Sequence, residues 1–302
     1  MTENLYKNNA PAEGNSAAAP KKVKEDAGSV VFKIVAYAFL IIGLILILVP
    51  FWIIFSTSFQ DRNMNVFEWW PSRTNPVAYE SVLTSEQGNV FVGFLNTMWI
   101  VIPPLLLGLF VSGLSAFAFS KMRFRAKKWM LAVTLATMSI PYTVLMMPSY
   151  LWNSILGWTS SPLPLLIPGL FGSAAAVFFL TQYFAGIPQS LVEAGQVDGM
   201  GFFRCYVTII IPLAAPAFIG QGILSFVGGY NDYMGPLLYL SGTDIKTLAF
   251  TLVEIQTYYS GARNTDALSC AGAVLALIPI IIIYVAGHKF FVDGVMTGGV
   301  KE

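Results

Sequence analysis

The chain is 302 residues long, 56% hydrophobic and only 11% charged, with a formal net charge of +1. A typical soluble domain carries roughly 25% charged residues, so composition argues against a soluble fold, and a mean hydropathy of +0.66 agrees. The near-neutral balance lacks the clustered basic footprint of a nucleic-acid binder, and Cys205 and Cys270 supply neither a disulfide framework nor a metal-ligand spacing.

Residues 1–29, rich in Ala, Pro, Asn and Lys, are expected to form a disordered cytoplasmic tail, because such a composition cannot bury a core. A hydrocarbon layer about 30 Å thick needs about 20 apolar residues of helix. Charge-free runs predict six spans, at Ile34–Phe55, Phe94–Phe119, Trp129–Tyr150, Leu165–Phe184, Thr208–Val227 and Ala267–Gly287. The first run exceeds the 7–15 residues of a signal-peptide apolar region and no small-x-small site follows, so it is expected to stay in the protein. Gly157, Ser160, Ser161, Pro162 and Pro164 mark the turn between the third and fourth spans. Prolines in or near the spans, among them Pro50, Pro141, Pro148 and Pro212, each remove a backbone hydrogen bond and permit a kink.

Thirteen of the seventeen Lys and Arg fall on one side of this layout. They are Lys7, Lys21, Lys22, Lys24 and Lys33, the cluster Lys121, Arg123, Arg125, Lys127 and Lys128, then Arg204, Lys289 and Lys301. Arg62, Arg73, Lys246 and Arg263 face the other side. The positive-inside rule then makes both termini cytoplasmic. The expected fold is all-α and polytopic, with a transmembrane domain at 30–291 and a cytoplasmic tail at 292–302.

No acidic residue or His falls near the middle of a span, where an ion-driven carrier usually binds its driving ion. His288 sits beside Lys289 at the inner end of the last span and reads as interfacial. No GxxxxGK[ST] phosphate loop occurs, so an ATP site of that kind is not expected in this chain. A transporter with no motor of its own implies a motor on another polypeptide.

The most informative segment is Gly186–Gly201, between the fourth and fifth spans. Pro188 suits the entry to a new helix. Ser190 and Glu193 have capping-box spacing, and Gly199 and Gly201 end a helix of about two turns. Ala194 and Gly195 leave its backbone bare for another protein to approach. On spacing alone the segment suits either a docking knob or an ordinary amphipathic connector.

The same segment resembles the Glu-Ala-Ala loop of ATP-binding-cassette importer permeases. That pattern is Glu-Ala-Ala, three residues, Gly, nine residues, then Ile-x-Leu-Pro. Here it reads Glu193-Ala194-Gly195, then Gly199, then Ile209-Ile210-Ile211-Pro212, departing at Gly195 and Ile211. The resemblance extends over most of the chain through Ser56–Phe59, Pro76–Tyr79, Asn96-Thr97, Lys121–Phe124, Met146–Pro148, Tyr230–Tyr233 with Pro236-Leu237, and Phe291–Lys301. These look like the carbohydrate-uptake branch, the relatives of the second permease of maltose transporters.

The resemblance implies a coupling helix in the loop, with Glu193, Ala194, Gly195, Asp198 and Gly199 contacting an ATPase subunit. It implies no cofactor in this chain, ATP and Mg²⁺ being held by the partner ATPases. The implied partners are a second permease, an ATPase pair and an extracytoplasmic solute-binding protein, in the cytoplasmic membrane of a bacterium or archaeon. The loops Thr57–Phe91 and Asp232–Asp266 are where such a binding protein would dock.

Sugar sites combine aromatic faces with groups that bond hydroxyls, and Tyr230, Asn231, Asp232 and Tyr233 offer that mixture. The same residues also suit an interfacial tyrosine belt and the start of a loop. Asn96 and Trp99 are further candidates, and Asn96 equally suits a bond to a neighbouring helix. The rival reading is a self-sufficient carrier or channel, and within the importer reading a non-sugar solute. A membrane enzyme ranks third, for want of a cluster with catalytic spacing.

Overall fold

The computed structural model describes residues 27–60, 68–71, 74, 76–85, 88–260 and 265–299, with side chains of the last helix described as far as Gly287. Most of the expected N-terminal tail, Arg62, Arg73, Arg263, Lys301 and the side chains of His288 and Lys289 lie outside that description. Every regular element among the described residues is helical.

The chain divides into two units, Met1–Phe51 and Trp52–Glu302. In the first, the described residues belong to helix α1 (Ala27–Ser58). Each large apolar side chain from Val31 to Leu48 is exposed. A continuous exposed apolar surface of that length suits lipid rather than water.

The second unit continues with α2 (Val77–Thr84), α3 (Val90–Lys121), α4 (Lys127–Met138), α5 (Tyr142–Ile155), α6 (Leu163–Leu170), α7 (Ala174–Ala185) and α8 (Gln189–Val197). It then runs through α9 (Phe202–Cys205), a π turn (Tyr206–Ile210), α10 (Ile211–Leu213), α11 (Ala215–Tyr230), α12 (Met234–Leu240), α13 (Leu248–Tyr258) and α14 (Thr265–Gly299). The backbone of α14 therefore continues past 291, through most of the segment read as a tail.

Helix α3 organises this unit. Near its start it packs with α2, α11, α13 and α14 around Val82, Val90, Phe226, Leu248, Ile255 and Leu268. Near its end it packs with α7 and the α8–α9 region around Phe117, Leu180, Phe184, Val192, Tyr206 and Ile210. Between the two cores α3 crosses α6 at close range. A Cβ added to Gly108 would overlap the carbonyl oxygen of Gly169, and one at Gly169 would lie 2.7 Å from Pro104 Cβ. Ser112 Oγ accepts the backbone N–H of Ser173 at 3.0 Å. Small residues thus let the backbones approach as membrane helices commonly do.

Four helices or near-continuous pairs are long and apolar enough to cross a membrane: Val31–Ser58, Val90–Lys121, Leu163–Ala185 and Asp266–Gly287. The expected third and fifth spans differ from straight helices. Lys127–Met138 and Tyr142–Ile155 meet at 96°, and Phe202–Leu213 and Ala215–Tyr230 at 81°. Pro141 disfavours helical backbone in the residue before it and breaks the first pair. The second pair parts at Ala214, where Pro216 in the first turn of α11 lacks the N–H that would bond Pro212 O; upstream, Pro212 lacks the N–H that would bond Thr208, and its ring crowds that carbonyl. The helix widens instead, with Ile211 N–H reaching Tyr206 O in the π turn. Pro50, Pro103, Pro104, Pro148, Pro168 and Pro279 remain inside continuous helices.

Candidate functional site

Pro188 opens α8, and its extended ψ of 133° turns the chain away from α7. The expected capping box does not form. The helix begins at Gln189, which puts Ser190 inside the first turn, and no side chain caps the terminus. The C-terminus follows the expectation closely. Gly199 takes φ +82, Gly199 N–H bonds Gln196 O at 3.0 Å, and Met200 N–H bonds Gly195 O at 2.9 Å. These two bonds make a Schellman motif, which requires a left-handed residue and so favours glycine.

The two faces of α8 differ sharply. Val192 and Gly195 are buried, above Cys205 and Tyr206, which are also buried. Tyr206 Oη donates to Phe110 O at 2.8 Å, and its ring packs between Phe110 and Phe117. Glu193, Ala194, Gln196, Asp198 and Gly199 are exposed, and Val197 is 87% exposed. Of the five residues assigned to the docking face, four therefore point outward and Gly195 points into the core. An alanine there would set its Cβ 2.8 Å from Ile209 Cδ1 and 3.2 Å from Cys205 Sγ. That packing is a physical reason for the departure at this position.

Lys121, counted above only as one cation of a basic loop, is 7% exposed. Its ammonium donates to Ile187 O, and Gln189 Nε2 donates back to Lys121 O at 3.4 Å.

The six residues nominated for a sugar path are not gathered at one place. Tyr230 is 3% exposed, with Oη on Ala276 O at 2.9 Å; it is part of the α11–α14 core. Asn231 is exposed and bonds Val227 O, closing α11. Asp232 Oδ1 accepts Gly235 N–H at 3.1 Å and starts α12. Asn96 donates to Lys246 O at 2.9 Å, and beside it Thr97 Oγ1 accepts Leu248 N–H at 2.8 Å. Trp99 is exposed. Asp232 also lines a cavity of about 240 Å³ formed with Pro104, Gly108, Ser112 and Ser225.

Tyr233 belongs to a different site. With Phe250, Lys246, Glu254, Thr257 and Tyr258 it lines a groove of about 450 Å³ between α12 and α13. Phe250 lies buried, its ring centroid 6.2 Å from that of Tyr233. Lys246 Nζ pairs with Glu254 Oε2 at 2.5 Å. Asn96 and Thr97 fix the start of α13, and thereby one wall of this groove. The sequence carried one signal for it, the spacing of Phe250, Glu254, Thr257 and Tyr258 on one helical face.

The arabinooligosaccharides transport system permease protein AraQ of Bacillus subtilis is 30% identical over 70% of this chain and 74% of its own length. Its counterpart in Halalkalibacterium halodurans is 29% identical over 72% of this chain and 76% of its own. The probable starch degradation products transport system permease protein AmyC of Thermoanaerobacterium thermosulfurigenes is 28% identical over 88% of this chain and 97% of its own. A crystal structure of a bacterial ABC transporter involved in the import of the acidic polysaccharide alginate shares the fold. Its matching chain has a TM-score of 0.76 at 24% identity, covering 88% of this chain and 99% of that one. Residues 105–296 match the family described as binding-protein-dependent transport system inner membrane component, and the chain belongs to that family.

Proposed function

We propose that this chain is one permease subunit of an ATP-driven sugar importer, crossing the cytoplasmic membrane six times with both termini inside. The four membrane-length segments, with each bent pair counted as one further crossing, are consistent with that number. A second permease completes the pathway, two ATPase subunits hold ATP and Mg²⁺ below it, and a binding protein delivers the cargo from outside.

The observation that carries the reading is α8. It is a two-turn helix with an exposed face of Glu193, Ala194, Val197, Asp198 and Gly199, and its other face is built into a core shared with α3 and α7. A partner that pushes on such a helix moves the core beneath it, because packed interiors are close to incompressible. Sugar as the cargo is supported by relatives named for arabinooligosaccharides and starch degradation products. It is also supported by the α12–α13 groove, where aromatic rings adjoin an ion pair and a threonine hydroxyl.

The test is Glu193→Lys combined with Gly199→Trp in the assembled complex. Sugar-stimulated ATP hydrolysis is expected to fall about tenfold or more, as for loss of a well-packed interface contact. Hydrolysis at the wild-type rate, with assembly intact, removes the coupling role from α8.

A further inference from the structure

Lys121 as a residue is only 7% exposed, which its place in a basic loop does not explain. A charge taken out of water needs a bonded partner, and a cation at the last residue of α3 also complements the helix dipole. Here the partner is the carbonyl of Ile187, immediately before the proline that opens α8. Gln189, the first residue of α8, returns a bond to the carbonyl of Lys121. Lys127 Nζ donates to the next carbonyl, Met122 O, at 3.2 Å. The end of α3 is therefore tied in both directions to the entry of α8. Nine to seventeen residues back, Ser112, Gly108 and Pro104 of the same helix line the cavity that Asp232 also lines.

We propose that Lys121 is a positioning residue that latches α3 to the entry of α8, so that displacement of α8 by a partner is carried along α3 to the cavity. The proposal rests on the reading of α8 as a coupling helix. Without the latch, α8 still docks through its exposed face, but its motion is lost at the α7–α8 junction.

The test is Lys121→Met and Lys121→Arg in the complete importer, reconstituted with its partners, reading sugar moved per ATP hydrolysed. Lys121→Met is expected to assemble and hydrolyse ATP while the ratio falls about tenfold, as for the loss of one charge-assisted hydrogen bond. Lys121→Arg, which keeps a cationic donor, is expected to recover most of it. A wild-type ratio in Lys121→Met overturns the latch. Gln189→Ala removes the return bond without stranding a charge, and is expected to lower the ratio about threefold even if Lys121→Met does not assemble. A wild-type ratio in Gln189→Ala likewise overturns the latch. Absence of ATP-driven uptake by the wild-type complex in the same vesicles refutes the importer reading itself, and the latch with it.

Discussion

At Gly195 the backbone of α8 comes close enough to the core that an added Cβ meets Ile209 Cδ1 and Cys205 Sγ. Ile209 Cδ1 is the free end of a side chain and can turn aside, and alanine is favoured over glycine in a helix by roughly 1 kcal/mol. These effects oppose each other, so Gly195→Ala is expected to change stability by less than about 1 kcal/mol. Gly195→Leu has no such escape and is expected to destabilise by about 1–3 kcal/mol through overpacking. Thermal unfolding of the purified chain in detergent checks both, and a Leu variant as stable as wild type contradicts the inward placement. The departure at 195 was legible in the sequence as a missing methyl. Its cause was not, because Ile209 and Cys205 approach it only through the fold. Lys121 is harder still, since its partner lies 66 residues away, and a cation in a basic loop carries no mark of burial.

At the scale of elements, α8 was legible because its limits are local chemistry: a proline that opens the helix and a glycine that closes it with φ +82. The capping box failed for a local reason too, since Pro188 takes the position that Ser190 needed. The groove was legible only as the spacing of Phe250, Glu254, Thr257 and Tyr258, because Leu248–Tyr258 lies in a stretch read as an outer loop and its apolar face is interrupted by Thr251. Tyr230 supports the core, so Tyr230→Ala is expected to destabilise the chain by about 3–5 kcal/mol, as aromatic truncations do. Glu254→Gln and Tyr258→Ala alter exposed or half-exposed groove residues. They are expected to raise the half-saturating sugar concentration for uptake several-fold, each hydroxyl bond being worth about 1 kcal/mol, with protein levels unchanged. Uptake curves superimposable on wild type in both variants exclude the groove from the sugar path.

For the whole molecule, hydropathy located both ends of α3 and the start of α14 to within a few residues, while α14 runs twelve residues past the expected end at Gly287. It gave no sign that two of the runs bend by 96° and 81°. A bend depends on which carbonyls and rings collide around Pro141 and around Pro212 and Pro216, and a window average does not register that. The close crossing of α3 and α6 was equally silent, though Gly108, Gly169 and Gly172 make it possible. What the sequence did carry was membrane-length apolar helices, the lack of a GxxxxGK[ST] loop in the sequence, and one short helix opened by Pro188 and closed by Gly199.

Whether the chain works as part of an ATP-driven importer is tested by purifying the tagged chain from its native membranes, identifying what accompanies it, and reconstituting that assembly for sugar uptake with and without ATP. An ATP-driven importer is expected to yield an ATPase with a phosphate loop and a second permease, and uptake that stops when ATP is withheld. A chain recovered alone or with copies of itself, moving solute without ATP, contradicts the importer reading.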